Sequence, residues 1–283
     1  MARPGECCGA PAPPPAAAPS AGWDAMSAWY TSTVSPATAS LAFSLLGHLG
    51  LLADNNNGKG LRVLETHCGD AQAAARVLPA ASVESYTACD FSSGMLDVAR
   101  ARLGDKATAV VADSTSLPFT GGSFDRYMSN MGCCCVADLD AKLREAHRVL
   151  AEGGLAAMSM RIEGGEGDTA FRAVGEALQP FGCPPGPDRE GLRLGKDLPA
   201  LRAKLEGMGF KEPVAWRTWV TLPIHDQDSF VKFATGQPPV AKFLSGLDEA
   251  KKEEALKAIR EKAATVLDTG AAQISVAAFV AKR

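Results

Sequence analysis

Three acidic residues stand at the ends of three apolar segments that have the composition of buried strands. Glu65 follows "LRVL", Asp90 ends "ESYTACD" and Asp113 follows "ATAVVA". An open parallel sheet binds its ligand at the carboxyl ends of its strands, so these carboxylates are expected at one edge of the sheet. An acid that ends the second strand is well placed to accept hydrogen bonds from the two hydroxyl groups of a ribose. The spacing therefore indicates a nucleoside ligand.

The turn after the first strand, "ETHCGDA", argues against a dinucleotide. A pyrophosphate requires a Gly-x-Gly-x-x-Gly turn that lets the backbone and a helix N-terminus close on it. This turn contains only Gly69, and it places Asp70 beside the start of the next helix, where a carboxylate would repel a phosphate. The turn therefore favours a cationic ligand without phosphates and disfavours the alternative of a nicotinamide-dependent oxidoreductase.

Strand and helix patterns alternate along the part of the chain that carries these acids. Predicted strands are "LRVLETH", "ESYTACD", "ATAVVADS", "FDRYMSN" and "GGLAAMSMRI", and a single helix separates most neighbours. Two further strands are predicted at "EPVAWRTWVTL" and "ISVAAFVAKR". Strands that alternate with helices form parallel units with right-handed crossovers, so the prediction is an α/β fold with a doubly wound, mostly parallel sheet.

Composition predicts the organisation of the remaining chain. Residues 1–22 are rich in proline and alanine, and we expect a disordered tail there. Residues 23–57 have the pattern of helices interrupted near Pro36, and we interpret them as an N-terminal helical lid. Residues 58–283 form the main domain, with a largely helical insertion at about 221–268 that would act as a cap.

Charge and hydropathy exclude several classes of partner. The net charge is -3, so the chain has no basic field to hold nucleic acid. The longest apolar run, residues 41–53, is shorter than the roughly 20 residues that a membrane span needs. The 8 cysteines show no recurring spacing, which indicates reduced thiols and a cytoplasmic protein. The sequence leaves the oligomeric state open.

In motif order, residues 61 to 162 resemble the class I S-adenosylmethionine-dependent methyltransferases, in the branch typified by ubiquinone/menaquinone biosynthesis. The family's first glycine-rich signature resembles "VLETHCGDA", and its ribose-binding strand and helix resemble "YTACDFSSGMLDVARARL". Its adenine segment resembles "ADSTSLPFTGGSFDRYMSN", and its fourth helix and fifth strand resemble "LREAHRVLAEGGLAAMSM". Its closing antiparallel strand resembles "ISVAAFVAKR". The resemblance implies a seven-stranded Rossmann-like sheet, S-adenosylmethionine as cofactor, and a small-molecule acceptor.

The resemblance also implies roles for matching positions. Glu65 would orient the loop and approach the amino group of the methionine moiety, Asp90 would hold the ribose hydroxyls, and Asp113 would accept from the adenine amino group. Asn130 would line the methionine end. The full set of implied cofactor-binding residues is Glu65, Cys68, Gly69, Asp90, Phe91, Met95, Asp113, Ser114 and Asn130.

The first signature departs from the family pattern of Glu/Asp-x-Gly-x-Gly-x-Gly. His67 and Ala71 stand where the family has glycines, and only Gly69 matches. This departure motivates an alternative function, a non-catalytic protein that binds an adenosine cofactor or a partner.

A methyl transfer from a sulfonium needs alignment of the acceptor more than a dedicated catalytic group. If the acceptor must lose a proton, His67 and His225 are the candidate bases. Trp29 and Tyr30 are candidates for an aromatic lid or substrate contact.

The cysteine run "GCCCVAD" includes Cys133 on the side where the resemblance puts the acceptor. A thiophilic substrate or metal is one interpretation, and small buried apolar side chains are the other. Adjacent cysteines on an extended segment would point to opposite faces, so we predict no metal site.

Overall fold

The computed structural model describes residues 21–52 and 60–283. Its strands are β1 (Leu61–Thr66), β2 (Val83–Asp90), β3 (Thr108–Val111), β4 (Phe124–Ser129), β5 (Leu150–Arg161), β6 (Lys211–Thr221) and β7 (Gln273–Lys282). They form one seven-stranded sheet in the order β3-β2-β1-β4-β5-β7-β6. The pairings among β1 to β5 are parallel, and β7 is antiparallel to both of its neighbours. The predicted fold class is confirmed.

Helices connect the strands and cover the sheet. They are α1 (Ala21–Trp29), α2 (Ser35–His48), α3 (Gln72–Val77), α4 (Ser93–Leu103), α5 (Leu139–Val149), α6 (Thr169–Leu178), α7 (Glu190–Leu194), α8 (Leu198–Gly207), α9 (Gln227–Thr235), α10 (Pro238–Ser245) and α11 (Glu249–Asp268). Side chains cap the starts of α4 and α5, because Ser92 accepts from the Met95 amide and Asp138 from the Ala141 amide. Helices α9 to α11 occupy the predicted insertion between β6 and β7.

Two apolar clusters cover the two faces of the sheet. Val63 belongs to one cluster and its neighbour Leu64 to the other, and both side chains are fully buried. Consecutive residues of a strand point to opposite faces, so a strand buried on both sides reads as a continuous apolar run. This is why two apolar residues, Val63 and Leu64, are adjacent in the middle of β1.

The N-terminal helices pack against the carboxyl edge of the sheet. A π-helical turn, Tyr30–Val34, separates α1 from α2, so the interruption lies just before Pro36, which the first turn of α2 accommodates. Asp24 in α1 accepts from the Ser92 hydroxyl at 2.7 Å and from the Gly94 amide at 3.0 Å, at the start of α4. The predicted tail over residues 1–22 lies outside the described residues except for its last two, which begin α1.

We found no helix in the described part of the chain with the length and apolar content of a membrane span.

Candidate functional site

Two small cavities meet at the carboxyl ends of β1, β2 and β4. One, the Glu65 cavity, has a volume of about 20 Å³, and the other, the Asp90 cavity, of about 70 Å³. Tyr30, His67 and Asn130 line both cavities. The topology therefore brings together residues that lie about a hundred positions apart in the chain.

Asp90 ends β2 with both carboxylate oxygens directed at backbone amides. Its Oδ2 accepts from the Gly69 amide at 3.0 Å, and its Oδ1 accepts from the Ser92 amide at 3.0 Å. Burial raises the pKa of Asp90, and these amide donors oppose the shift. A carboxylate has further lone pairs, so Asp90 can accept additional hydrogen bonds from a ligand in the cavity beside it.

The loop after β1 has left-handed backbone at all three positions where the family pattern has glycine. The φ angles are 55° at His67, 53° at Gly69 and 50° at Ala71. Non-glycine residues seldom adopt this conformation, because the Cβ atom approaches the following carbonyl oxygen. The loop thus keeps a backbone suited to glycine although two of the three glycines are absent, and the change to Ala71 is costlier than its small side chain suggests.

Ala71→Gly is expected to raise the free energy of unfolding by about 0.5–1 kcal/mol, because relief of the left-handed strain exceeds the added entropy of the unfolded chain. Thermal and urea unfolding would measure the gain. Ala74→Gly, in the regular part of α3, is the matched control and should destabilise the protein by about 1 kcal/mol. Equal destabilisation by both substitutions would contradict the strain argument.

Glu65 is a buried acid at the bottom of its cavity. It is 4% exposed, and one of its oxygens accepts from the Tyr86 hydroxyl at 2.7 Å. Burial raises the pKa of Glu65 to about 7, while the hydrogen bond from Tyr86 opposes the shift. A bound cation would favour the ionised carboxylate, so this acid suits a ligand ammonium.

Glu65→Gln is expected to stabilise the protein at pH 8 by roughly 1–3 kcal/mol and to have little effect at pH 5. The raised pKa means that the folded state keeps this proton up to about pH 7, whereas the unfolded chain releases it near 4.5. The stability contributed by the protonated group is therefore complete below pH 4.5 and is lost as the pH rises through 7. Urea unfolding at both pH values would measure the effect.

Glu84→Gln on the exposed part of β2 is the control for the loss of a carboxylate, and it should change the free energy of unfolding by no more than about 0.5 kcal/mol. A difference between wild type and Glu65→Gln that is the same at pH 5 and pH 8 would contradict the raised pKa.

Asp70 does not supply free negative charge to the loop. Its Oδ2 lies 2.8 Å from Nη1 of Arg102, and its Oδ1 accepts from the Ser35 hydroxyl at 2.6 Å. The interpretation of Asp70 as a residue that repels phosphate therefore needs correction, because Arg102 compensates its charge. Among the acids of this loop, Glu65 carries the argument for a cationic ligand.

Aromatic residues of the N-terminal helices cover the glycine of the loop. A Cβ atom at Gly69 would lie 3.0 Å from Cε1 of Tyr30, so the ring packs directly on the loop backbone. Trp23 lines the Asp90 cavity and contacts the Tyr30 ring edge to face, with 6.2 Å between centroids. Trp29 instead points away and donates its indole N–H to the Lys232 carbonyl in α9 at 3.1 Å. Sequence reasoning found Tyr30 and missed Trp23.

Other predicted cofactor residues also lie at the cavities. Phe91 and Met95 line the Asp90 cavity, and Cys68 lines the Glu65 cavity. Asn130 donates its side-chain amide to the Thr38 carbonyl of α2 at 3.1 Å. It thereby connects the end of β4 to the N-terminal helices.

Besides Trp29 and Cys133, the predicted residues Asp113, Ser114 and His225 lie outside both cavities. Asp113 is exposed at the end of β3, where its Oδ1 accepts from the amide and hydroxyl of Thr115, both at 2.8 Å. The neighbouring Ser114 hydroxyl is buried and has no hydrogen-bond partner among the described residues. His225 is exposed before α9, and its backbone amide donates to Ser229.

The cysteine run forms a turn, and the expectation of an extended segment is wrong. The Cys135 amide donates to the Gly132 carbonyl at 3.2 Å, which brings the Cys134 and Cys135 thiols to the same carbonyl of Met131, at 3.2 and 3.3 Å. Cys133 is fully buried against Met158, whereas Cys135 lines the Asp90 cavity. The adjacent Cys135 thiol is the main cause that lowers the pKa of Cys134.

A buried lysine that sequence reasoning missed lies beneath the loop. Lys142 of α5 has no exposed surface, and its Nζ lies 3.2 Å from Nδ1 of His67. The sequence could have indicated the burial of Lys142 through its position in the apolar stripe of the helix. Lys142 stands four residues before Ala146 and seven before Val149, which are both fully buried.

A larger groove, of about 430 Å³, lies elsewhere, between α9 and α11. Within it Arg260 pairs with Asp228. Volume alone therefore does not identify the site.

Residues 64–158 match a family model described as a methyltransferase domain. The demethylmenaquinone methyltransferase of Parafrankia sp. (strain EAN1pec) is 38% identical over 118 residues, which cover 35% of this chain and 46% of that protein. The ubiquinone/menaquinone biosynthesis C-methyltransferase UbiE of Rhizobium johnstonii is 37% identical over 101 residues, which cover 34% of this chain and 39% of that protein. The chain thus spans less than half the length of these curated relatives.

The fold also matches solved structures. The phosphoethanolamine N-methyltransferase 2 of Haemonchus contortus, solved in complex with S-adenosyl-L-methionine, aligns with a TM-score of 0.52 and 18% identity over 85% of this chain and 51% of that chain. This likeness supports the fold, and the family match covers the strands that carry Glu65 and Asp90. The segment that carries these strands is therefore similar to a methyltransferase domain, and it resembles the quinone-biosynthesis methyltransferases named above.

Proposed function

We propose that this chain transfers a methyl group from S-adenosylmethionine to a small-molecule acceptor. The observation that carries the proposal is that one cavity is lined by Asp90, by Gly69, which has no side chain, and by the side chains of Phe91 and Met95. The demethylmenaquinone and quinone C-methyltransferases that it resembles support a small acceptor.

The residues present fit the chemistry of this cofactor. Asp90 would accept from the ribose hydroxyls, Phe91 and Met95 would flank the adenine, and Glu65 would bind the ammonium group of the methionine moiety. Glu65 is buried and its pKa is raised to about 7, and a bound cation would favour the loss of its proton. Asp113 would accept from the adenine amino group, and the backbone of Ser114 would act as a donor.

The two cavities are much smaller than the roughly 300–1,000 Å³ of ordinary ligand sites. Tyr30 and Trp23 fill much of the space above Gly69, so α1 and α2 must shift to admit the cofactor. This requirement supports the interpretation of residues 23–57 as a lid, of which residues 53–57 lie outside the described residues.

S-adenosylmethionine supplies an activated methyl group when it is bound. The chain's own task is to hold the acceptor in line with that group and to exclude water, and good alignment accounts for up to roughly 7–11 kcal/mol of barrier reduction. Tyr30 and Trp23 would exclude water above the loop, and Cys135 and Met131 would line the acceptor side. His225 would contribute only if α9 moved towards the cavities.

Calorimetric titration tests the proposal with S-adenosylmethionine, S-adenosylhomocysteine and NAD. We expect binding of the two sulfur nucleosides and none of NAD. Incubation with a radiolabelled methyl donor and fractionated metabolites, including reduced quinones, should then label a small molecule. Binding of NAD alone, or the absence of any labelled product with tightly bound cofactor, would contradict the proposal.

We propose a cytoplasmic location, which the lack of any recurring cysteine spacing in the sequence supports.

A further inference from the structure

Lys142 is a buried cation whose hydrogen-bonding neighbours are all neutral. Its Nζ lies 3.0 Å from the Ser129 hydroxyl, 3.2 Å from Nδ1 of His67 and 3.4 Å from the Thr66 hydroxyl. Within residues 21–52 and 60–283, no carboxylate forms an ion pair with it. Burial of an unpaired ammonium costs several kcal/mol, so a lysine at this position calls for a function.

The number of donors on Lys142 determines the proton position on His67. An ammonium group has three N–H donors and no lone pair, so each of its three neighbours must accept. Nδ1 of His67 therefore carries no proton, and the neutral imidazole is protonated at Nε2. Burial and the nearby charge of Lys142 lower the pKa of His67, which keeps the ring neutral.

His67 has the space for this arrangement because residue 132 is glycine. A Cβ atom at Gly132 would lie 2.8 Å from both Cγ and Nδ1 of the His67 ring. The ring lines both cavities, and its Nε2 has no hydrogen-bond partner within the described ranges. The neutral His67 ring is thus an N–H donor at the cavities through Nε2, and its Nδ1 contacts the buried positive charge of Lys142.

We infer that Lys142 is a positioning residue that fixes His67 as an Nε2–H donor, and that this donor binds the carboxylate of the methionine moiety of S-adenosylmethionine. The inference rests on the proposed function. At the methionine end of the cofactor, Glu65 would attract the ammonium group and the charge of Lys142 would attract the carboxylate. In this role His67 is a donor and not a general base, and its departure from glycine is an adaptation of a working loop.

The tautomer can be measured without activity. Nitrogen-15 NMR distinguishes protonated from unprotonated ring nitrogens, and His67→Gln assigns the signals among the 4 histidines. We expect Nδ1 of His67 to be unprotonated and Nε2 protonated in the wild type at pH 7, and a mixture of tautomers in Lys142→Met; because burial lowers the pKa of Lys142, the tautomer is compared at this pH. A proton on Nδ1 in the wild type would overturn the inference.

The carboxylate preference is tested by calorimetry with S-adenosylmethionine and its decarboxylated form, which keeps the sulfonium and the amino group. The wild type should prefer the complete molecule by roughly tenfold or more, the range of one charge-assisted hydrogen bond. Lys142→Met and His67→Gly should lose this preference while their affinity for the decarboxylated form stays within about threefold of the wild type. If Lys142→Met fails to fold, His67→Gly still tests the preference for the carboxylate.

The exposed Lys257→Met is the matched control and should behave as the wild type. Equal binding of both forms by the wild type would overturn the inference and leave the proposed function intact. Binding of neither form would overturn both.

Discussion

Asp90→Asn is expected to weaken the binding of S-adenosylhomocysteine roughly 100-fold, because two charge-assisted hydrogen bonds contribute about 1.5 kcal/mol each. Asparagine keeps the size of the side chain but has one acceptor oxygen in place of two. It would also face the Gly69 or Ser92 amide with a donor, which loosens the loop around the ligand. Calorimetric titration measures the change in affinity.

Asp97→Asn is the matched control, since this acid lies on the exposed face of α4 and pairs only with Arg100. It should leave the affinity unchanged. Near-equal melting temperatures of the two variants would show that the loss comes from the site. An affinity of Asp90→Asn within threefold of the wild type would mean that Asp90 does not hold the ribose.

Gly132→Ala is expected to destabilise the protein by about 3 kcal/mol, at the upper end of the usual cost of overpacking. The new Cβ atom would overlap the Ser129 hydroxyl and crowd the ring of His67. Neither neighbour can easily move, because Lys142 binds both. Urea unfolding measures the loss, and we expect weaker cofactor binding alongside it.

Gly175→Ala is the matched control, because this glycine is exposed in α6 and a Cβ atom there meets nothing within 4 Å. The substitution should stabilise the protein by up to about 1 kcal/mol, the difference in helix propensity. If Gly132→Ala were as stable as the wild type, the packing of His67 against this turn would be incorrect.

The fold was predictable because its signals are local. The central strands are buried on both faces and therefore read as short apolar runs, and capping residues such as Ser92 and Asp138 mark the helix starts. The antiparallel direction of β7 came from the family resemblance, but its position between β5 and β6 was not predicted, since periodicity does not report which strands pair.

The site was predictable only where a residue's role follows from its place on a strand. Glu65 and Asp90 end β1 and β2, so topology alone brings them to one edge. Lys142 and Trp23 reach the site through the packing of helices, which one sequence does not specify. The sequence analysis named Cys133 as the cysteine near the acceptor, whereas Cys135 lines the cavity. This difference depends on a turn that the composition of the cysteine run does not reveal.

The place of β7 between β5 and β6 has a consequence for synthesis of the protein. Until residues 273–282 have been synthesised, β6 has no partner strand in the described sheet, and β5 has an open edge. Such edges are templates for pairing with other chains. The nascent protein is therefore most exposed to aggregation just before residues 273–282 emerge, and these residues close the sheet with contacts distant in sequence, which form slowly.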